Sequence, residues 1–554
     1  MHLIRFVYTH ANCCHQANMA VESTKPTVSW YNTAYFKHKK KTNRKQGMSI
    51  FDRTFHPDEA NQAFTTGKLL ETGVYKYDPK DHHGPTLYYA AAAMQKAAGN
   101  NTTASLDGTL LRCTPLLFAI IALGFCFLGL CKLFREHSSR KLQATAFTLL
   151  LATSPIFAFF ATDFIQEMLL AAFTAMMFWT AVGYTVKNEC TGKVKPGTWT
   201  LFFGIAAGLA FATKETAVLT FAASAATAIL LLAGSLIPCN RRHFSLPVTD
   251  TAKVSSHMFL AVAGFALTSI LFYSSFASNW QGLYNAFIAA PMSYIHRAAG
   301  DAVSEGAAYH VHPWWRYLKW LFGTNPCFAV FTACGIGLGI FSCLNRRKDG
   351  EILSTARMAF VASLVYSTVL IALYSTIPYK TPWCALQLHI PLLLCGFLGL
   401  MLFATVNAIR RMTAILIMVL MFGENCCLLA QMWRDPDSKN IPYNYASASP
   451  QVKDMAQLIE SRVSDGKSSG KCFIAVALPS EDTWPLPFYL RNINSNVGYW
   501  TQFEELEMLA ALNRKPDVVV VPAEQGHLVQ PLFPHLKNTK RFEMRHRVRI
   551  RVFW

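Results

Sequence analysis

Ten stretches of the chain are apolar for about 18 residues or more, enough helix to cross roughly 30 Å of hydrocarbon. They run approximately over 109–132, 143–161, 164–186, 198–213, 216–237, 257–277, 320–343, 356–377, 385–406 and 411–432. Inside a bilayer the backbone must satisfy its own hydrogen bonds, so runs like these fold as helices. A polytopic α-helical membrane protein of about 10–11 spans is therefore expected. The composition agrees, with 15% of the 554 residues charged against about 25% in soluble domains.

The formal net charge of +19 does not point to nucleic acid, because the cations are concentrated in alternate loops. "KLFREHSSRK", "KNECTGKVKPG", "NRRH", "NRRKDGE" and "NAIRR" follow the first, third, fifth, seventh and ninth runs. The positive-inside rule makes those loops cytoplasmic. Facing outward are then "FHPDEA", "ATDFIQE", "ATKET", residues 278–319, "IPYKTPW" and everything after about residue 433. Most cysteines fall within or beside apolar runs, where they act as small hydrophobes, and no disulfide or zinc spacing is readable.

Three parts follow from this reading. Residues 1–50 are an atypical basic segment ending in "KHKKKTNRKQG", residues 51–432 the membrane domain, and residues 433–554 an extracytoplasmic α/β domain. In the last part "QVKDMAQLIESRV" is an amphipathic helix, "CFIAVAL" and "DVVVVP" are buried strands, and "RFEMRHRVRIRVFW" alternates as a terminal strand.

The outward loops carry the candidate chemistry. Asp58 and Glu59 follow Pro57, a pattern that also starts an ordinary helix. Asp78, Asp81, His82 and His83 crowd the next loop. Asp163 and Glu167 are spaced i, i+4, as one helical face would place them. They either cap an interface or line a polar cavity, the usual role of acids at membrane depth. Lys214, next to Glu215, and Lys380, near Trp383, are cations at the same level, either snorkelling or holding a phosphate. In "YHVHPWWRYLKW", His310 and His312 belong to an interfacial aromatic belt or ligate a metal. Trp484 and Arg491 in "DTWPLPFYLR" either serve assembly or hold an acceptor sugar by ring contact and hydrogen bonds.

Together "FHPDEA", "GVYKYDPKDHHGPTLYY", "ATKETA", "YKTPW", "PYNYASASPQV" and "DTWPLPFYLRNINSNVGYW" resemble, in this order, the flippase-activity-associated membrane proteins of archaea and bacteria. Those proteins belong with the protein O-mannosyltransferase-like and aminoarabinose-transferase-like enzymes of GT-C type. The resemblance implies a multi-pass glycosyltransferase of the cell (cytoplasmic) membrane that moves a sugar from a polyprenyl-phosphate donor to an extracytoplasmic acceptor by an inverting general-base mechanism. It implies catalytic roles for Asp58, Glu59, Asp163 and Glu167, with Asp58 as the base. Substrate contacts are expected from His82, His83, Lys214, Glu215, Lys380, Trp383, Trp484 and Arg491, the two lysines being chosen on charge and topology. A divalent cation, magnesium or manganese, is expected on Asp58 and His83, and a complex with other envelope-glycan proteins is the expected assembly. It also implies a spanning helix directly before the Asp58 loop. Residues 1–50 contain no such run, so a lost or misassigned first helix is expected. The alternatives are a lipid-linked glycan translocase or its accessory, and a catalytically silent scaffold.

Overall fold

The computed structural model describes residues 51–554 except 52, 79–82, 136, 187–193, 237–250, 294–309, 346–350, 437–440, 442, 446, 467–471 and 546–547. The basic segment 1–50, Asp81 and His82 thus lie outside the described residues.

Among the described residues, seven helices are long and apolar enough to cross a membrane: Gly108–Leu133, Glu167–Thr185, Lys253–Tyr273, Pro326–Leu344, Thr355–Thr376, Pro382–Ala404 and Ala408–Arg434. Two further runs form the shorter apolar helices Pro196–Phe211 and Ala217–Ala233. The tenth, 143–161, is not one span. It breaks into Arg140–Ala152 and Pro155–Phe160. Pro155 has no N–H to donate and holds Ser154 extended at φ −61°, ψ 126°, which ends the first helix. Ser154 Oγ then pairs with buried His389 Nε2 at 2.7 Å, filling the break.

Helices Pro326–Leu344 and Pro382–Ala404 approach backbone to backbone through glycines. A Cβ on Gly335 would lie 2.3 Å from the Gly396 carbonyl oxygen, and one on Gly399 would lie 2.0 Å from that of Gly335. Small residues permit such contact in lipid, where apolar attraction between helices is weak. Gly335→Ala is therefore expected to cost about 1–3 kcal/mol, because the obstacle is backbone and cannot rotate away. Thermal unfolding in detergent checks this, and an unchanged midpoint would contradict it.

The motifs expected to face outward are held by three helices, labelled α1 (Pro57–Thr72), α2 (Thr86–Ala97) and α3 (Gly108–Leu133). Of these, α1 and α2 are not among the membrane spans. They pack under the loops 161–166 and 212–216, with Thr86 Oγ1 at 2.7 Å from Thr213 Oγ1 and Gln166 Nε2 donating to Gln62 Oε1 at 3.1 Å.

After Arg434 the chain forms a five-stranded sheet of order β2-β1-β3-β5-β4. Its strands are β1 (Ile474–Ala477), β2 (Val497–Trp500), β3 (Val518–Pro522), β4 (Thr539–Arg545) and β5 (Val548–Phe553). β1 is parallel to both β2 and β3, whereas β5 is antiparallel to β3 and β4. Successive residues of a strand point to opposite faces, so unbroken apolar runs require both faces to be covered. Ile474, Val476, Val518 and Val520 pack with Val452, Met455 and Ile459 of helix Gln451–Gly466. Ala475, Ala477, Val519 and Val521 pack with Phe503, Leu506 and Val529. The C-terminal stretch is not the single strand expected, since it forms two strands, β4 and β5, that pair antiparallel.

The sheet domain is fastened to the helices by the segment after β1. Phe488 stacks on Phe55 at 4.3 Å, Trp484 meets Phe64 edge-on at 5.5 Å, and the Phe55 N–H donates to Tyr489 Oη at 2.9 Å. Arg491 donates to the carbonyls of Leu106 and Phe488, both at 2.8 Å. Trp484 and Arg491, expected to hold substrate, are therefore seam residues.

Candidate active site

His56, Pro57, Asp58 and Glu59 start α1 as a capping box. The Asp58 N–H donates to His56 Nδ1 at 3.1 Å, and Glu59 Oε2 accepts the His56 N–H at 2.9 Å. The two acids then part. Glu59 turns inward and is fully buried, while the Asp58 carboxylate is 46% exposed.

Glu59 meets Arg112, a fully buried arginine in the first turns of α3. Arg112 Nε and Nη2 bond Glu59 Oε1 and Oε2 at 2.9 and 2.7 Å. Its other N–H groups reach the carbonyls of Phe51 (2.9 Å), Arg53 (2.6 Å) and Thr54 (3.4 Å). All five donors of the guanidinium are thereby used. Its plane also lies 4.3 Å from the Phe55 ring. Glu59 Oε1 accepts the Phe164 N–H as well, at 2.9 Å. Burial alone would raise the Glu59 carboxyl, but Arg112 outweighs it and holds the group down at about 2. Glu59 thus fastens the loop through Arg112 and does not line the cleft described below.

Arg112 shapes the backbone at Arg53, and Arg53 carries the next pair. Its Nη2 donates to Asp163 Oδ1 at 2.6 Å, with the guanidinium 4.1 Å from the Phe159 ring. Burial, then the nearby Glu59 carboxylate, push the Asp163 carboxyl up, against the pull of Arg53 and Arg112. A narrow cleft of about 10 Å³ opens here, and Arg53, His56, Asp58, Asp163, Trp383 and Tyr445 are in its wall. Two wall atoms, Thr54 Oγ1 and His56 Nε2, are buried without a hydrogen-bond partner among the described residues. Since buried polar atoms are ordinarily paired, such atoms mark a place for a polar ligand. With Nδ1 accepting from the Asp58 N–H, the neutral His56 ring carries its proton on Nε2, a donor in the cleft wall.

The remaining expected residues form separate polar nodes. Asp163 and Glu167 do not share a helix face, because the helix begins only at Glu167 and Asp163 sits in the preceding turn. Glu167 is ion-paired with Lys214, both buried, and lies beside Cys384; the Glu167 carbonyl accepts from Gln387 Nε2 at 2.9 Å. Neither residue lines the Asp58 cleft. Lys380 is also outside its wall, since its ammonium donates to the carbonyls of Ser375 (3.0 Å) and Ile377, capping the end of helix Thr355–Thr376. His83 Nδ1 lies 2.9 Å from Glu215 Oε2, and Tyr77 Oη donates to Glu215 Oε1 at 2.6 Å. Burial would raise Glu215; His83 and Tyr77 outweigh it and hold the carboxyl at about 2.

The expected cation pair of Asp58 with His83 is accordingly not assembled. His83 is committed to Glu215, and among the described residues no three His, Cys, Asp or Glu side chains gather as a metal site. No step is derived through an ion. His310 and His312 do not form a ligand pair either. They flank Val311, which bridges Tyr379; His310 packs on the Tyr379 ring and His312 on Trp320.

Of the expected site residues the cleft thus collects Asp58, Asp163 and Trp383 and adds Arg53, His56 and Tyr445. Arg112 had a visible signal, because a cation at the start of an apolar run is costly and needs a partner.

Among solved structures the chain is similar to ArnT from Cupriavidus metallidurans in the apo state, at 13% identity over 91% of this chain and 95% of that one, with a TM-score of 0.53. Other matches are the archaeal oligosaccharyltransferase AglB from Archaeoglobus fulgidus (10% identity, 85% and 66% of the two chains, TM-score 0.49) and the arabinofuranosyltransferase AftD from Mycobacteria (12%, 91% and 38%, TM-score 0.44). No family model and no curated protein matches the sequence. At such identity the likeness to ArnT is one of fold. The polytopic helical GT-C fold with a C-terminal sheet, expected from the motifs, is the fold this chain has.

Proposed function

We propose that this protein is a membrane glycosyltransferase that moves a sugar from a polyprenyl-phosphate donor to an acceptor hydroxyl at the extracytoplasmic surface, with inversion at the anomeric carbon. The observation that carries the reading is the half-exposed Asp58 carboxylate sharing one cleft with the Arg53–Asp163 pair. The likeness in fold to ArnT supports it.

In this reading the acceptor oxygen attacks the anomeric carbon and its proton passes to Asp58. The bond from that carbon to the phosphate oxygen breaks, and its electron pair leaves with the polyprenyl phosphate. Charge grows on the departing phosphate, so the Arg53 guanidinium in the cleft wall stabilises the transition state more than the ground state. His56 Nε2–H and Thr54 Oγ1 offer the sugar hydroxyls hydrogen bonds that have no internal competitor among the described residues. Glu59 and Arg112 act at one remove by fixing the backbone from Phe51 to Glu59.

The protein reconstituted in vesicles with a labelled polyprenyl-phosphate sugar and extracted envelope acceptors is expected to move label to the acceptor. Appearance of the lipid in the opposite leaflet with no transfer would instead make the chain a translocase.

A further inference from the structure

The sheet domain contains a second concavity that glycosyl transfer does not use. β1 lies between β2 and β3, so the chain runs to one side after β1 and to the other side after β2. In open α/β sheets such a reversal leaves a crevice outside the carboxyl ends of the strands, where ligands bind. Here it measures about 340 Å³. Pro479 stands after β1, Thr501, Gln502 and Glu504 after β2, and Pro522 and Gln525 at the end of β3.

The walls select against anions. Glu504, Glu505 and Glu507 fill the first turn of helix Glu504–Ala511, and Glu505 Oε2 accepts the N–H groups of Thr501 (3.0 Å) and Gln502 (3.1 Å). The N–H groups just ahead of the helix are thus taken by the chain's own carboxylate. Among the described residues no lysine or arginine lines the crevice. What faces a ligand is two side-chain amides, a hydroxyl and a carboxylate. Amides both donate and accept, as sugar hydroxyls do, and the extra carboxylate accepts from a further hydroxyl.

We propose that this crevice binds an uncharged carbohydrate chain. Its β1 lip continues directly into Trp484–Tyr489, the segment seated on Phe55 and Phe64 beside the start of α1. Use of the bound carbohydrate as the acceptor rests on the transfer reading; its binding does not.

The test is calorimetric titration of the full chain in lipid nanodiscs, free of maltoside detergent, with maltohexaose, mannohexaose and inorganic pyrophosphate. One of the hexaoses is expected to bind, at least about tenfold more weakly to the Gln502→Ala/Gln525→Ala double variant, while Asp58→Asn binds it as the parent does. Neither altered glutamine is fully buried, so the melting temperature of the double variant is expected to match the parent. Binding of neither hexaose, equal binding by the double variant, loss of binding in Asp58→Asn, or pyrophosphate binding that the double variant loses would each overturn the assignment. Because no donor or transfer enters the measurement, its failure leaves the transfer reading standing, and failure of transfer leaves the crevice standing.

Discussion

Arg112→Ala is expected to lower the stability of the protein by about 3–5 kcal/mol, the cost of breaking a buried ion pair by removing one partner. The side chain is fully buried, and every N–H it owns is bonded. Without it Glu59 remains at the start of α1 with the N–H groups of His56 and Phe164 as its hydrogen-bond partners among the described residues. The carbonyls of Phe51, Arg53 and Thr54 lose their donor in the same step. Arg112→Lys keeps the charge but replaces a planar five-donor fork with a point charge, so it is expected to recover only part of the loss. Thermal unfolding of the detergent-solubilised variants measures both, and an alanine variant that melts with the parent would contradict this account of the loop.

The membrane helices were legible because an apolar run of sufficient length has few other fates in lipid. The break at Pro155 was visible as a residue yet hidden by the apolar average around it. The two-sided burial of β1 and β3 was readable from their unbroken apolar runs, whereas their order depends on crossovers that periodicity does not encode. Asp58 and Asp163 stood out as acids beside apolar runs, and the cleft holds both. The lysines misled for a physical reason. A cation's partner is set by tertiary contact, and Lys214 with Glu167, Arg112 with Glu59, and Arg53 with Asp163 join residues 47, 53 and 110 positions apart. Charge and topology led to Lys214 and Lys380, of which the first pairs with Glu167 and the second caps a helix. Arg53, which stands in the cleft, lies in a short loop where nothing in its neighbours distinguishes it.

Asp58→Asn carries the second large effect. The side chain is almost the same size and sits on the exposed side of the first turn, so the capping box, which uses the Asp58 backbone and not its carboxylate, stays intact. Stability is expected to change little. What disappears is the only function the carboxylate has in the proposed reaction, acceptance of the acceptor proton, and a general base of this kind contributes about 10² to 10⁴-fold. Asp58→Glu keeps the base but moves it along the cleft, so an intermediate rate is expected. The decisive measurement is single-turnover transfer of labelled sugar from a polyprenyl-phosphate donor by the purified parent and by folded Asp58→Asn, with donor binding measured alongside. The account predicts that the variant binds donor and transfers at least about 10²-fold more slowly; equal rates in the two proteins would contradict it.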